Sequence, residues 1–366
     1  MTFRGGLRAL LLAALAVVAA VALAACGSTK DDDDGSTGST GGGAATAAAA
    51  AAEADPDAPY KEGLKVVVMP KQLGNPYEEL EDSGTVEAIE ELGGKATIVG
   101  PTDAGASSQV PLLQSEVQKK PDAIVLAGND PNAVAPVLKN AMRQGISVVA
   151  QDSDVAPDAR QIFINQATTE SIGEALVEMA HEQAGGEGQI AILSATANAP
   201  NQNSWIEVMK EKLQEPEYQD LELVKIAYGD DDDQKSFQEM QGLLSAYPDL
   251  KVVVAPTTVG ISAGARYLST SPKKGKVAIT GLGTPNQMRK FVKDGTVTEF
   301  ALWNPKDVGY LGGYAAAALA SGIVTGEEGQ TFEAGRLGEK TIGPNGEIVL
   351  GPPTRFNADN IDDFDF

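Results

Sequence analysis

A chain of 366 residues with one cysteine and one histidine excludes a disulfide framework and offers no Cys/His metal cluster. Its 28 Lys and Arg stand against 51 Asp and Glu, a formal net charge of −23. That balance argues against nucleic acid or an anionic membrane surface as a partner, and it disfavours strongly anionic ligands.

Arg4 and Arg8 precede an apolar run over residues 9–22. A basic start before about 14 apolar residues has the form of a secretory signal and is too short to span a bilayer stably. The run ends in Leu23-Ala24-Ala25-Cys26, small residues before a cysteine that resemble a lipobox. Residues 1–26 are therefore expected to be a lipoprotein signal peptide. Lipid on Cys26 would then hold the protein on the outer face of the cytoplasmic membrane, at the cell surface or in the periplasm. Residues 27–60 are dominated by Gly, Ser, Thr, Ala and Asp, with little to bury against the entropy of ordering, and read as a flexible tether.

From Leu64 onward, short β-branched runs alternate with helical spacing. Apolar runs at 64–69, 96–99, 123–126, 147–150, 189–193, 221–226, 252–255 and 277–280 predict strands. Between them, Val86, Ile89 and Leu92, then Val134, Val137, Leu138 and Met142, then Val208, Met209 and Leu213 recur at helical intervals. Short strands separated by helices predict an α/β fold with parallel sheets covered on both faces. About 300 residues exceed what one core usually serves, so two lobes are expected.

Eight such units can close into one barrel or split into two doubly wound open sheets. A barrel enzyme carries catalytic carboxylates or metal ligands at its strand ends. Here the strands are followed by Lys71-Gln72, Asn129-Asp130, Gln151-Asp152-Ser153-Asp154, Asn201-Gln202-Asn203 and Thr257-Thr258, which are mainly hydrogen-bonding groups. Two open lobes with a ligand between their C-terminal strand edges fit better.

Several segments stand in order from about Leu64 to the C-terminus. They are 70–77 (Pro-Lys-Gln-Leu-Gly-Asn-Pro-Tyr), Gly100-Pro101-Thr102, Asn129-Asp130-Pro131, Gln151 to Asp154, Asn201 to Trp205, 255–260 (Ala-Pro-Thr-Thr-Val-Gly), 300–305 (Phe-Ala-Leu-Trp-Asn-Pro) and 360–364 (Asn-Ile-Asp-Asp-Phe). Together they resemble the type I periplasmic binding proteins, and within them the rhamnose-binding and autoinducer-2-binding lipoprotein group. The resemblance implies two lobes joined by three crossovers, near 161–166, 299–303 and after Gly326. Residues 61–163 and 304–326 would form the first lobe, and 164–303 with 327–366 the second lobe and closing tail. It also implies a monomeric receptor rather than an enzyme, with no cofactor or metal. Its partners would be a small sugar and the permease subunits of an ABC importer.

The same resemblance assigns the site. Lys71 matches the lysine of the autoinducer-2 receptors, Asp152 the aspartate, Gln202 the glutamine, and Pro256 and Thr258 the backbone positions. Asn201 and Asn304 stand where those receptors carry aspartate and are similar to the rhamnose-binding branch, whereas Asp154 and Asn165-Gln166 are similar to the autoinducer-2 receptors. The chemistry agrees independently. Asp152 can accept two adjacent hydroxyls, Lys71 donates, and Asn201 and Gln202 do both. Tyr77 and Trp303 offer stacking faces to a sugar ring. Asn129 and Asp130 can reach the cleft or simply start a helix. Asp230 to Asp233 read as a solvated loop and helix N-terminus. A carboxylate-pair glycosidase is the remaining alternative.

If Cys26 carries the anchor, Cys26→Ser should move nearly all of the protein from the membrane to the soluble fraction, because firm attachment takes two or more chains. Fractionation checks this, and membrane retention of the variant would reject the anchor.

Overall fold

The computed structural model describes residues 53–366; the expected signal peptide, Cys26 and most of the expected tether lie outside the described residues. The first lobe begins with strand β1 (Lys65–Met69), helix α1 (Pro76–Glu91), β2 (Lys95–Ile98), α2 (Val110–Gln118), β3 (Ala123–Leu126), α3 (Pro131–Arg143), β4 (Ser147–Gln151) and β5 (Ile162–Asn165). The second lobe follows with α4 (Thr169–Ala184), β6 (Gly188–Ser194), α5 (Pro200–Lys212), β7 (Leu221–Tyr228), α6 (Asp233–Ala246), β8 (Leu250–Ala255), α7 (Thr258–Thr270), β9 (Ala278–Gly281), α8 (Pro285–Lys293) and β10 (Glu299–Leu302). Helix α9 (Pro305–Ser321) returns to the first lobe, and four short strands close the chain: β11 (Thr331–Glu333), β12 (Glu339–Thr341), β13 (Glu347–Val349) and β14 (Thr354–Asn357).

The first-lobe sheet runs β2-β1-β3-β4-β5-β13, and every neighbouring pair is parallel. Strand residues alternate between its two faces, as the pleat requires. Val67, Met69, Ile124, Leu126, Val148 and Ala150 pack under α2 and α3, whereas Val66, Ala123, Val125 and Val149 join the cluster that includes α1 and α9. The second lobe has the parallel order β7-β6-β8-β9, and β10 joins it through a bridge from Ala301 to Leu282. Antiparallel β14 then pairs with β10. Both sheets are open and doubly wound, as expected.

Three parts of the expected layout are corrected. Residues 327–366 do not belong as a whole to the second lobe, because β13 hydrogen-bonds beside β5 in the first-lobe sheet. The third crossing therefore lies between Val349 and Thr354, not directly after Gly326. Residues 162–165 and 299–302, expected only as crossings, are strands that immediately precede them. The tether does not run to residue 60. Asp55 donates its backbone amide to Gly322 at 2.9 Å, Tyr60 meets Tyr314 edge-on at 5.7 Å, and its hydroxyl reaches the Glu333 carbonyl at 2.5 Å. The half-buried Tyr60 and these two hydrogen bonds dock the segment on the first lobe.

Helices α1 and α9 cross with their backbones in contact. A methyl group at Gly309 would lie 1.7 Å from the Glu81 carbonyl oxygen, and one at Gly84 would lie 2.0 Å from that of Lys306. Neither helix backbone can give way alone. Gly309→Ala should therefore cost about 3 kcal/mol through overpacking, read as a lower urea midpoint; an unchanged midpoint would mean the helices separate freely.

Candidate ligand cleft

The cleft lies where the C-terminal strand edges of both lobes face one another. Chain order reverses between β1 and β3 in one sheet and between β6 and β8 in the other, the places where open parallel sheets present ligand crevices. The segment after β1 supplies Lys71, Asn75, Tyr77 and Glu78, and that after β4 supplies Asp152. The second lobe contributes Gln202 and Trp205 from α5, Asp231 after β7, Pro256 to Thr258 after β8, and Leu282; Leu302 and Trp303 come from the crossing. Together they bound a cavity of about 30 Å³.

Asp152 is the hub. It sits in the left-handed region (φ 57°), a conformation that aspartate tolerates better than most residues. Its Oδ1 accepts from the Tyr77 hydroxyl at 2.9 Å, and its Oδ2 accepts from Asn201 Nδ2 at 3.1 Å. Lys71 Nζ lies 3.4 Å from the same Oδ2 and donates to Asn201 Oδ1 at 3.0 Å. Trp303 Nε1 donates to the Tyr77 oxygen at 2.7 Å. Gln72 Nε2 adds a second link between lobes by donating to the Asp231 carbonyl at 3.0 Å. These polar groups clasp the two lobes together.

Of the expected site residues, Lys71, Tyr77, Asp152, Gln202, Pro256, Thr258 and Trp303 line this space, and Asn201 joins them through its bonds to Lys71 and Asp152. Three do not line it. Asn129 is buried and directs its amide to the Lys71 carbonyl at 2.9 Å, bracing the loop. Asp130 caps α3, accepting from the amides of Asn132 and Ala133 at 2.8 and 2.9 Å. Asn304 caps α9, accepting from Lys306 N at 3.1 Å. Each directs a side-chain polar atom to backbone rather than into the cleft.

Two carboxylates were missed. Asp231 is not solvated: it is only 9% exposed and accepts from the Thr257 hydroxyl. Its place just beyond β7 was the available signal, and four consecutive aspartates obscured it. Glu78 is 3% exposed and accepts from the Lys71 backbone amide at 3.2 Å. Trp205 also belongs to the wall, 6.0 Å from Trp303.

A periplasmic binding protein domain matches residues 66–323, more than half of the chain. The chain belongs to the periplasmic binding protein family. It is 53% identical to a sugar ABC transporter protein from Actinomyces odontolyticus, over 83% of this chain and 98% of that one, with a TM-score of 0.67. An ABC transporter solute-binding protein from Clostridium phytofermentas with bound L-rhamnose is 37% identical over 83% and 98% of the two chains, TM-score 0.81. LsrB from Clostridium saccharobutylicum in complex with AI-2 is 26% identical over 83% and 100%, TM-score 0.76. The curated D-ribose/D-allose-binding protein of Pseudomonas aeruginosa is 24% identical over 205 residues, which cover 53% of this chain and 62% of that relative.

The cleft wall of this family member is heavily acidic. Burial pushes the Glu78 and Glu81 carboxyls well above the usual range, and the nearby Asp152 charge adds to it. Burial beside Glu79 pushes Asp82 up to about 7, and burial also raises Asp231. Lys71 loses from burial but is held above its ordinary value by Asp152, Glu78 and Asp231. A carboxyl raised in the folded state holds protons that the unfolded chain has released, so stability falls as pH climbs from about 4 to 7. Carboxyls held low, such as Glu87 beside Lys306, act oppositely only below about pH 4. The melting temperature should therefore be a few degrees higher at about pH 5.5 than at about pH 7.5, and Asp82→Asn should narrow the difference. Thermal denaturation across this range tests it; a rise in melting temperature with pH would refute it.

Proposed function

We propose that this protein is the substrate-binding component of an ABC importer, held at the outer face of the cytoplasmic membrane by lipid at Cys26. Its two lobes close on a monosaccharide, L-rhamnose or a similar deoxy-hexose or pentose, and present it to the permease without chemical change. The observation that carries this reading is the convergence of Lys71, Asp152, Asn201 and Gln202 from opposite lobes beside Tyr77 and Trp303. Charged and bifunctional groups face hydroxyls, while the aromatic wall faces the apolar side of a ring. The 37% identity to a protein with bound L-rhamnose supports the choice of sugar.

Autoinducer-2 is the second reading, favoured by the Lys71–Asp152 pair and by the likeness to LsrB in complex with AI-2. Asn201 weighs against it. This side chain donates to Asp152 and accepts from Lys71 at once, whereas an aspartate there would set two carboxylates against each other.

Asp152→Ala should weaken L-rhamnose binding by about 100-fold or more, since charge-assisted bonds contribute roughly 1.5–3 kcal/mol each. Titration calorimetry measures this, and a loss below about fivefold would remove Asp152 from the site. In parallel, Trp303→Phe should lose part of the ligand-induced fluorescence change and about fivefold in affinity.

A further inference from the structure

Acidic groups outnumber basic ones around the cavity. Glu78, Asp152 and Asp231 bring three carboxylates against the single ammonium of Lys71, and all four are at least nine-tenths buried. The Lys71 ammonium is directed to Asp152 and Asn201, so Glu78 receives only the lysine's backbone amide, on Oε2. Asp231 accepts the Thr257 hydroxyl on Oδ1. Among the described residues the second oxygens of Glu78 and Asp231 receive no hydrogen bond, and the Gln202 side-chain carbonyl, 6% exposed and on the same cavity, is buried without a partner.

The layer behind does not balance this charge. Glu81 is fully buried with both oxygens unpartnered, and Asp82 beside it is 3% exposed with Oδ1 unpartnered. The charged groups felt by Glu78 are Lys71 from the loop after β1, Asp152 from the edge of β4, and Asp82 and Glu81 from its own helix. Only Lys71 is positive. A neutral hydroxyl donates one hydrogen and brings no charge, whereas an ammonium donates three and neutralises a carboxylate.

We propose that the sugar received by this cleft carries a protonated amino group, and that Glu78 is the specificity-determining residue that accepts it. This rests on the reading that the cleft takes a monosaccharide, and it narrows the class to amino sugars of that size. Without a cation, burial favours the protonated carboxyl at Glu78. The arriving ammonium donates to the carboxylate while that proton leaves to solvent, so charge balances and no covalent bond forms or breaks.

Calorimetry at about pH 7 with L-rhamnose and three matched pairs tests the proposal: D-mannosamine and D-mannose, D-galactosamine and D-galactose, D-glucosamine and D-glucose. At least one amino sugar should bind about tenfold or more tightly than its hydroxyl parent. Its binding heat should depend on buffer ionisation, reporting proton release. Glu78→Gln should cut that preference to about twofold or less, with the melting temperature confirming the fold; Asp231→Asn, expected to lower it partly, serves if Glu78→Gln does not fold. Parents that bind as tightly as their amino forms, or L-rhamnose binding with no amino sugar bound, would overturn the proposal and leave the sugar reading standing. A preference unchanged in Glu78→Gln would overturn the role of Glu78. Binding of none of the seven sugars would overturn the monosaccharide reading itself, and this proposal with it.

Discussion

A buried carboxylate needs partners, and Asp152 draws its own from distant parts of the chain. Tyr77 comes from α1, Asn201 from the opposite lobe, and Lys71 from the loop after β1. An unpaired buried charge costs several kcal/mol, far more than the net gain from one hydrogen bond. Tyr77 and Lys71 begin the donor set of Asp152 within the first lobe, and Asn201 completes it from the second with the lobes together. Tyr77 extends the constraint to the crossing strand by accepting from Trp303. Closure of this cleft is thus tied to the donor count around one side chain.

The wall that carries Tyr77 and Glu78 is placed by the fold at large. Helix α1 starts at the cleft, with Asn75 capping it by accepting from the Tyr77 amide, and its far side lies backbone to backbone on α9 through Gly84 and Gly309. Because α9 begins directly after Trp303, the crossing strand, the aromatic wall and the acidic face of α1 are held as one unit. Packing at that crossing sets where Glu78, Glu81 and Asp82 sit, and their burial there sets their proton affinity.

The central strands were legible because each is a short apolar run buried on both faces, as in Ala123–Leu126 and Ser147–Gln151. Strands β5 and β10 were harder to read, since each is also the last segment before the chain changes lobe. Strand β13 was not legible at all. Glu347-Ile348-Val349 is too short to show a period, and it becomes a strand only because β5 offers a free edge. Within the site, Lys71, Asp152, Asn201 and Gln202 were legible as polar residues just beyond strand ends. Asn129, Asp130 and Asn304 share that pattern, yet their side chains turn back to cap helices or brace a loop.

The sequence by itself determined the alternation of strands and helices, the division into two lobes and most of the residues at their facing edges. These follow from local periodicity and from which residues stand next to strand ends. Only the tertiary structure decided which carboxylates are buried together. Whether Asp231 lies in water or in the cleft depends on Lys71 and Gln72, the latter 159 residues away along the chain, and Glu78 feels the charge of Asp152, which stands at the end of a different strand. Burial and charge pairing are properties of three-dimensional neighbours, and for Asp231 those neighbours include Gln72 and Lys71 of the opposite lobe.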